Sequence, residues 1–413
     1  MHRAEIVVER ADRETLRRLA AGVREIAERP IESDKRALWR RHNALQRTRP
    51  VVFCDPENGW NEIIPPGSLR CTGTLARLWE THLCREIFWG REMRDDYVIM
   101  PVFRIPHIHR GINWCAQAVY RGGGDGGAYR WEPPLKSPDD LRSLRFPEIT
   151  VDRTATDLLA ELASETLGDL LSVQVRSDWW WSLGLTSTLA ELRGLAQVMW
   201  DLADRPDLVH RQMAFLRDGT IAMLDALERQ GLLGLNNDGT YVGSGGFGWT
   251  EELPRADFDG RVRTCDMWGF AESQETVGVS PRMFGECILP YQLSVLERFG
   301  LNCYGCCEPL ERRWSVVKQI PRLRRVSVSP WADVAKMAEL LGGDYIFSLK
   351  PNPMPLAAAS FNEDQARAEL RRAFRLTRRC HLEVIMKDTH TIHGDPHRVV
   401  RWVQICREEA ERS

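Results

Sequence analysis

No stretch of the 413-residue chain approaches the roughly 18 consecutive apolar residues that a membrane span needs. Its first residues, Met1 to Leu19, are charged throughout and lack the apolar segment of a secretion signal, so a soluble cytoplasmic chain with no membrane contact is expected. Charge of one sign is not in excess either: 56 Lys and Arg against 58 Asp and Glu leave a formal net charge of −2. Without a basic surplus nothing in the composition drives binding to phosphate backbones, and no nucleic-acid partner is expected. A G-x-G-x-x-G turn leading into a helix is also missing. Gly122-Gly123-Gly124 and Gly126-Gly127 open a loop instead, so nucleotide binding is not indicated.

What remains is an ordinary globular composition, 43% hydrophobic and 28% charged. Eleven cysteines form an odd, scattered set. In a reducing compartment most act as small buried hydrophobes, with metal-binding or catalytic exceptions. Tryptophan is abundant at 15, and Trp179, Trp180 and Trp181 fall together. A wide polar-rimmed pocket and ordinary core packing both account for that run.

Residues 1–95 read as a helical arm or cap. Leu16, Leu19, Ala20, Val23, Ile26 and Ala27 recur at helical spacing between Glu14 and Glu28, and Pro30 is expected to end that helix. Ser33 reads as the N-cap of a second helix, running to about Gln46. A strand-like Val51–Cys54 and a third helix, about Thr74 to Gly90, complete the arm. From residue 96 to 413 the pattern becomes short apolar runs between longer helical segments. Eight strands are expected: Tyr97–Arg104, Leu171–Ser177, Leu232–Asn236, Val262–Phe270, Leu301–Cys306, Arg325–Val328, Tyr345–Leu349 and Leu382–Lys387. Gly231, Gly300 and Gly342-Gly343 sit where left-handed residues close helices. Alternating β and α argues for an α/β fold, and eight strands favour a (β/α)8 TIM barrel with an N-terminal helical extension. Two Gly/Pro-rich excursions, Gly122–Pro134 and Gly239–Pro254, are expected on the C-terminal rim, where barrel active sites form.

The most informative segment is Leu301-Asn-Cys-Tyr-Gly-Cys-Cys-Glu-Pro309, the expected fifth strand. Period-two alternation puts Asn302, Tyr304, Cys306 and Glu308 on one face, so a thiolate and a carboxylate stand together at the barrel mouth. That pair can ligate Zn2+, which needs three protein ligands and one open position for catalysis. Three cysteines in a buried strand are otherwise only compact apolar residues. A bulge at Gly305 would turn Cys307 inward instead. The last strand leads into Met386-Lys-Asp-Thr-His-Thr-Ile-His393, which places His390 at the same rim as a third ligand, with Asp388 able to fix its tautomer. His107 and His109, after the first strand, are a weaker alternative pair.

Glu272 to Tyr291, with Ser280-Pro-Arg-Met-Phe284 and Leu289-Pro-Tyr291, resembles the S-P-x-x-F … L-P-Y segment of the uroporphyrinogen decarboxylase superfamily. Leu185–Gly194 with Arg205–His210, Ser348–Leu356 and Ile392–Val400 are similar to further signatures of that superfamily in the same order. Together they span roughly residues 160–405, and the resemblance implies a (β/α)8 barrel. The Arg-x-x-Gly-Arg-Tyr motif of the true decarboxylases is missing. The chain is closer in type to the cobamide-dependent methyltransferases, whose fifth strand carries His-x-Cys-Gly and whose last strand supplies another zinc-binding cysteine. Cys306 matches the family cysteine, Tyr304 stands in place of its histidine, and the later cysteine position falls near Thr389 or His390.

The resemblance implies a zinc-dependent enzyme moving a methyl group between a small substrate or thiol and a corrinoid supplied by a separate protein. Cys306, Glu308 and His390 are then the metal ligands. Glu272 would orient substrate and Lys350 anchor an anionic group, although both are also ordinary barrel-layer ion-pair positions. The alternatives are a metal-free decarboxylase-like lyase and a non-catalytic barrel that binds a tetrapyrrole or a partner. The N-terminal arm is available for a homodimer contact.

Overall fold

The computed structural model describes residues 3–110, 112–123 and 128–412. Contacts divide the chain into two units built from interleaved segments. The first comprises residues 1–109, 151–178 and 350–413, and the second residues 110–150 and 179–349. In chain order the described strands are β1 (Val51–Cys54), β2 (Val102–Ile105), β3 (Val119–Gly122), β4 (Tyr129–Glu132) and β5 (Ser172–Val175). They continue as β6 (Trp268–Ala271), β7 (Leu301–Tyr304), β8 (Leu323–Val328), β9 (Ile346–Leu349) and β10 (His381–Met386).

In the first unit β1 pairs in parallel with β10, from Val51 opposite Glu383 to Cys54 opposite Met386. Strand β2 pairs in parallel with β5, from Val102 opposite Ser172 to Ile105 opposite Val175. The core forms where the helix Arg10–Ala27 turns Leu16, Ala20 and Val23 against Leu75, Trp79 and Leu83 of the helix Thr74–Phe88. These positions recur at helical spacing, and each fully buried leucine contributes about 2 kcal/mol. Trp79 meets Phe103 of β2 edge-on, with ring centroids 5.3 Å apart. The helix Thr74–Phe88 also buries two carboxylates. Glu80 accepts the backbone N–H groups of Arg70 and Cys71, and Glu86 accepts the Tyr97 hydroxyl at 2.8 Å.

The first helix stops at Ala27, short of Pro30 as expected, and Pro30 also opens the second, Pro30–Asn43. Its fixed φ and missing N–H cost nothing in a first turn, so Ser33 lies inside that helix rather than capping it. The second unit orders four parallel strands as β6-β7-β8-β9. Strands β3 and β4 form an antiparallel hairpin at the first Gly-rich excursion, of which Gly124 to Gly127 lie outside the described residues. Leu232–Asn236, expected as the third strand, is not a strand. The Asn236 side chain takes the place of a ladder partner: its amide donates to the Trp268 carbonyl at 3.0 Å and its oxygen accepts the Trp268 N–H at 2.8 Å. Gly194 separates the helices Thr186–Arg193 and Leu195–Asp204, and Ile288 separates Pro281–Cys287 from Leu289–Leu296, which carries Pro290 in its first turn. Gly231 closes its helix at φ +66°. Gly300 does not adopt a left-handed conformation; a Cβ there would lie 2.5 Å from the Cys265 carbonyl oxygen, so close approach demands glycine.

Each unit is thus α/β with parallel strands and covering helices. Among the described residues the ladders within neither unit close on themselves.

Candidate active site at the carboxyl ends of β6 and β7

Strands β6 and β7 run parallel with Ala271 opposite Tyr304, so the segments that follow them emerge at the same end. Glu272 follows β6 and is fully buried. Its Oε1 accepts the Ser182 hydroxyl at 3.1 Å and its Oε2 accepts the Gln274 N–H at 2.9 Å. Burial, followed by the neighbouring carboxylates of Glu275 and Glu308, pushes the Glu272 carboxyl up to about 9. The acid therefore keeps its proton at neutral pH.

The backbone around Glu272 is held by one amide. Gln292 Nε2 donates to the carbonyls of Gly184 and Glu272, at 2.6 and 3.1 Å, and to Ser273 Oγ at 2.7 Å. Its oxygen accepts the Tyr304 hydroxyl at 3.0 Å. Gly184 lies so close that a Cβ would stand 2.1 Å from the Glu272 carbonyl oxygen. Gln292 immediately follows the Leu289-Pro290-Tyr291 motif, which was the available signal for it. Ser182, directly after the three tryptophans, carried none of its own.

Alternation does not continue beyond β7. The strand stops at Tyr304 and Gly305 turns the chain at φ +93°, a region glycine enters without strain. The register irregularity against β8 falls at Asn302/Cys303 rather than at Gly305. After the turn the sulfurs of Cys306 and Cys307 lie 3.7 Å apart, and Ser244 donates its hydroxyl to Cys306 Sγ at 3.2 Å. Ser244 belongs to the second Gly/Pro-rich excursion, so that excursion reaches the carboxyl end of β7. Glu308 is buried and braces the turn: its Oε2 accepts the Cys306 N–H and its Oε1 the Ser273 N–H, both at 2.8 Å. Burial pushes its carboxyl up, opposed by those N–H groups and the Arg313 charge.

A cavity of about 540 Å³ lies within the same unit. Trp179 and Trp180 line it together with Trp114, Tyr120 and Ser182, which accounts for two of the three consecutive tryptophans. Trp179 is anchored by its indole N–H on the Leu232 carbonyl at 2.9 Å, whereas Trp181 is half exposed. Through Ser182 the cavity wall connects to the Glu272 carboxyl.

The remaining residues singled out in the sequence lie in the first unit. Lys350, buried, directly follows β9. His390 is exposed, with Nδ1 3.3 Å from the Asn58 amide nitrogen. His107 meets Ser177 Oγ at 3.2 Å through Nδ1, and burial lowers its pKa. Tetrahedral zinc with Zn–S bonds of about 2.3 Å places two sulfurs about 3.8 Å apart, and the Cys306–Cys307 spacing of 3.7 Å matches one such edge. Among the described residues no group of three or more His, Cys, Asp or Glu side chains is arranged to hold a metal ion.

No family model matches the sequence, and no curated protein matches it. Among solved structures it is similar to a methyltransferase from Methanosarcina mazei, at 11% identity and a TM-score of 0.48, over 91% of this chain and 97% of that one. Likeness of that degree defines neither fold nor function. No helix among the described residues is long and apolar enough to cross a membrane.

Proposed function

We propose that the chain is a methyltransferase-like enzyme on a (β/α)8-type frame, with residues 1–95 as an arm to a barrel over 96–413. It would move a methyl group between a small substrate and a corrinoid held by a separate protein. The observation that carries this reading is the sulfur pair at the end of β7, 3.7 Å apart and served by the Ser244 hydroxyl. It stands where the sequence resembles the zinc-binding strand of the cobamide-dependent methyltransferases. Zinc held by Cys306, with Cys307 and Glu308 as candidate companions, would stabilise a thiolate or polarise a methyl-bearing heteroatom.

The protein's own groups supply the rest. The Ser244 hydroxyl donates to Cys306 Sγ and fixes its orientation. When a nucleophile takes the methyl carbon, the departing heteroatom keeps the bonding pair and needs a proton. Glu272, neutral at pH 7 and bonded to Ser182 on the cavity wall, can deliver one through that hydroxyl. Lys350 would anchor an anionic group.

Metal analysis of purified protein tests the site, with wild type compared with Cys306→Ser and Glu308→Gln. About one zinc per chain in wild type, lost in Cys306→Ser, is the expected result. Methyl transfer from candidate substrates to free reduced corrinoid, followed by absorbance, tests the activity, and Glu272→Gln should slow it. Metal-free wild-type protein without transfer would overturn the reading and leave the metal-free lyase and the non-catalytic binding barrel.

A further inference from the structure

The cavity beside Ser182 has a composition that selects for charge. Three tryptophans and one tyrosine line it, Trp114, Trp179, Trp180 and Tyr120, and the one carboxylate among the lining residues is Glu191. No Lys, Arg or His is among its described lining residues. The Tyr120 hydroxyl donates to Glu191; desolvation first, then that bond and the carboxylate's charge, push the phenol up to about 12. A carboxylate beside aromatic side chains, with no basic side chain among the described lining residues, disfavours anions and leaves neutral ligands without a charged partner. A cation with apolar methyl groups satisfies both features. The negative faces of indole rings attract it electrostatically, and its methyl groups cover the rings without leaving N–H donors unpaired. The volume, about 540 Å³, exceeds that of a trimethylammonium group and leaves room for a short polar tail beside Ser182, Gln117 or Thr188.

We propose that this cavity binds a small methylated ammonium cation, a quaternary or tertiary amine, with its methyl groups against Trp180 and Trp114 and its charge facing Glu191. The proposal rests on the methyl-transfer reading for its functional sense, because such a cation carries methyl groups on a heteroatom beside the Ser182–Glu272 proton route. It does not rest on that reading for its test, since binding needs neither metal nor turnover.

The experiment titrates the full-length protein with choline and with its uncharged carbon isostere, 3,3-dimethylbutan-1-ol, by calorimetry and tryptophan fluorescence. The expected result is choline binding at least about tenfold tighter than the alcohol. Glu191→Gln, which keeps an acceptor for Tyr120, should weaken choline by about tenfold and leave the alcohol unchanged. Trp180→Leu should weaken choline more than the alcohol, with a circular-dichroism melt confirming the fold in both variants. Equal affinity for the two ligands, no binding of either, or choline binding untouched by Glu191→Gln overturns the proposal. Cys306→Ser separates the two readings. Choline binding retained in that variant alongside an inactive, metal-free wild type would sink the methyl-transfer reading alone. Methyl transfer from other substrates without choline binding would sink the cation site alone.

Discussion

Glu86 offers a direct test of how burial sets ionisation in this chain. Its carboxyl sits inside the first unit, accepting the Tyr97 hydroxyl at 2.8 Å, and burial raises it from 4.5 to about 7. A carboxyl raised by the fold favours folding while it is protonated. That contribution is therefore fully present below pH 4.5, is lost as the pH rises towards 7, and stays lost above it. The gap between 4.5 and about 7, at about 1.4 kcal/mol per pH unit, comes to about 3 kcal/mol. Glu86→Gln retains an oxygen for the Tyr97 hydroxyl but cannot ionise. Urea unfolding of both proteins at pH 5, 6, 7 and 8, followed by tryptophan fluorescence, should show the variant gaining on wild type up to pH 7 and no further. Asp95, also raised to about 7 by burial, titrates alike in both proteins and cancels in the difference. A stability difference that does not change with pH, or that shrinks as pH rises, would refute the reasoning.

Gly184→Ala should push a methyl group into the Glu272 carbonyl and cost about 1–3 kcal/mol; thermal melts of the two proteins check it, and an unchanged melting temperature would mean that the backbone yields without cost. Arg193→Met should cost about 3–5 kcal/mol, because Asp201, buried and bonded to Arg193 Nε at 2.7 Å, would lose its ion-pair partner. Adding Asp201→Leu should recover most of that loss in chemical denaturation, and failure to recover it would mean that packing rather than charge sets the cost.

Apolar runs made most of the strands legible, because a strand buried on both faces has little choice of residue. Leu232–Asn236 had the same appearance, yet nothing in its composition reveals that the Asn236 side chain would replace the ladder bonds. Pro30 was legible only in part: a proline that follows one helix can also start the next, and here it does both. At the site, Cys306, Glu308 and Glu272 could be picked out because thiols and carboxylates are rare at strand ends. Their arrangement could not, since alternation presumes a strand and this one stops at Tyr304, two residues before its expected end at Cys306. Ser182, Ser244 and Gln292 come from distant segments, and a single sequence has no way to announce such meetings.

The pairing of β1 with β10 sets a condition on how the molecule is made. Val51 lies opposite Glu383, 332 residues later in the chain. A ribosome adding about 5–20 residues per second leaves Val51–Cys54 without that partner for tens of seconds. Over that interval an apolar four-residue strand has its edge open to other chains, the situation in which nascent proteins aggregate or recruit chaperones. Contacts of such sequence separation are also the slowest to form, because the loop they close must be ordered first. A chain ending before His381 would leave β1 without the neighbour that β10 gives it.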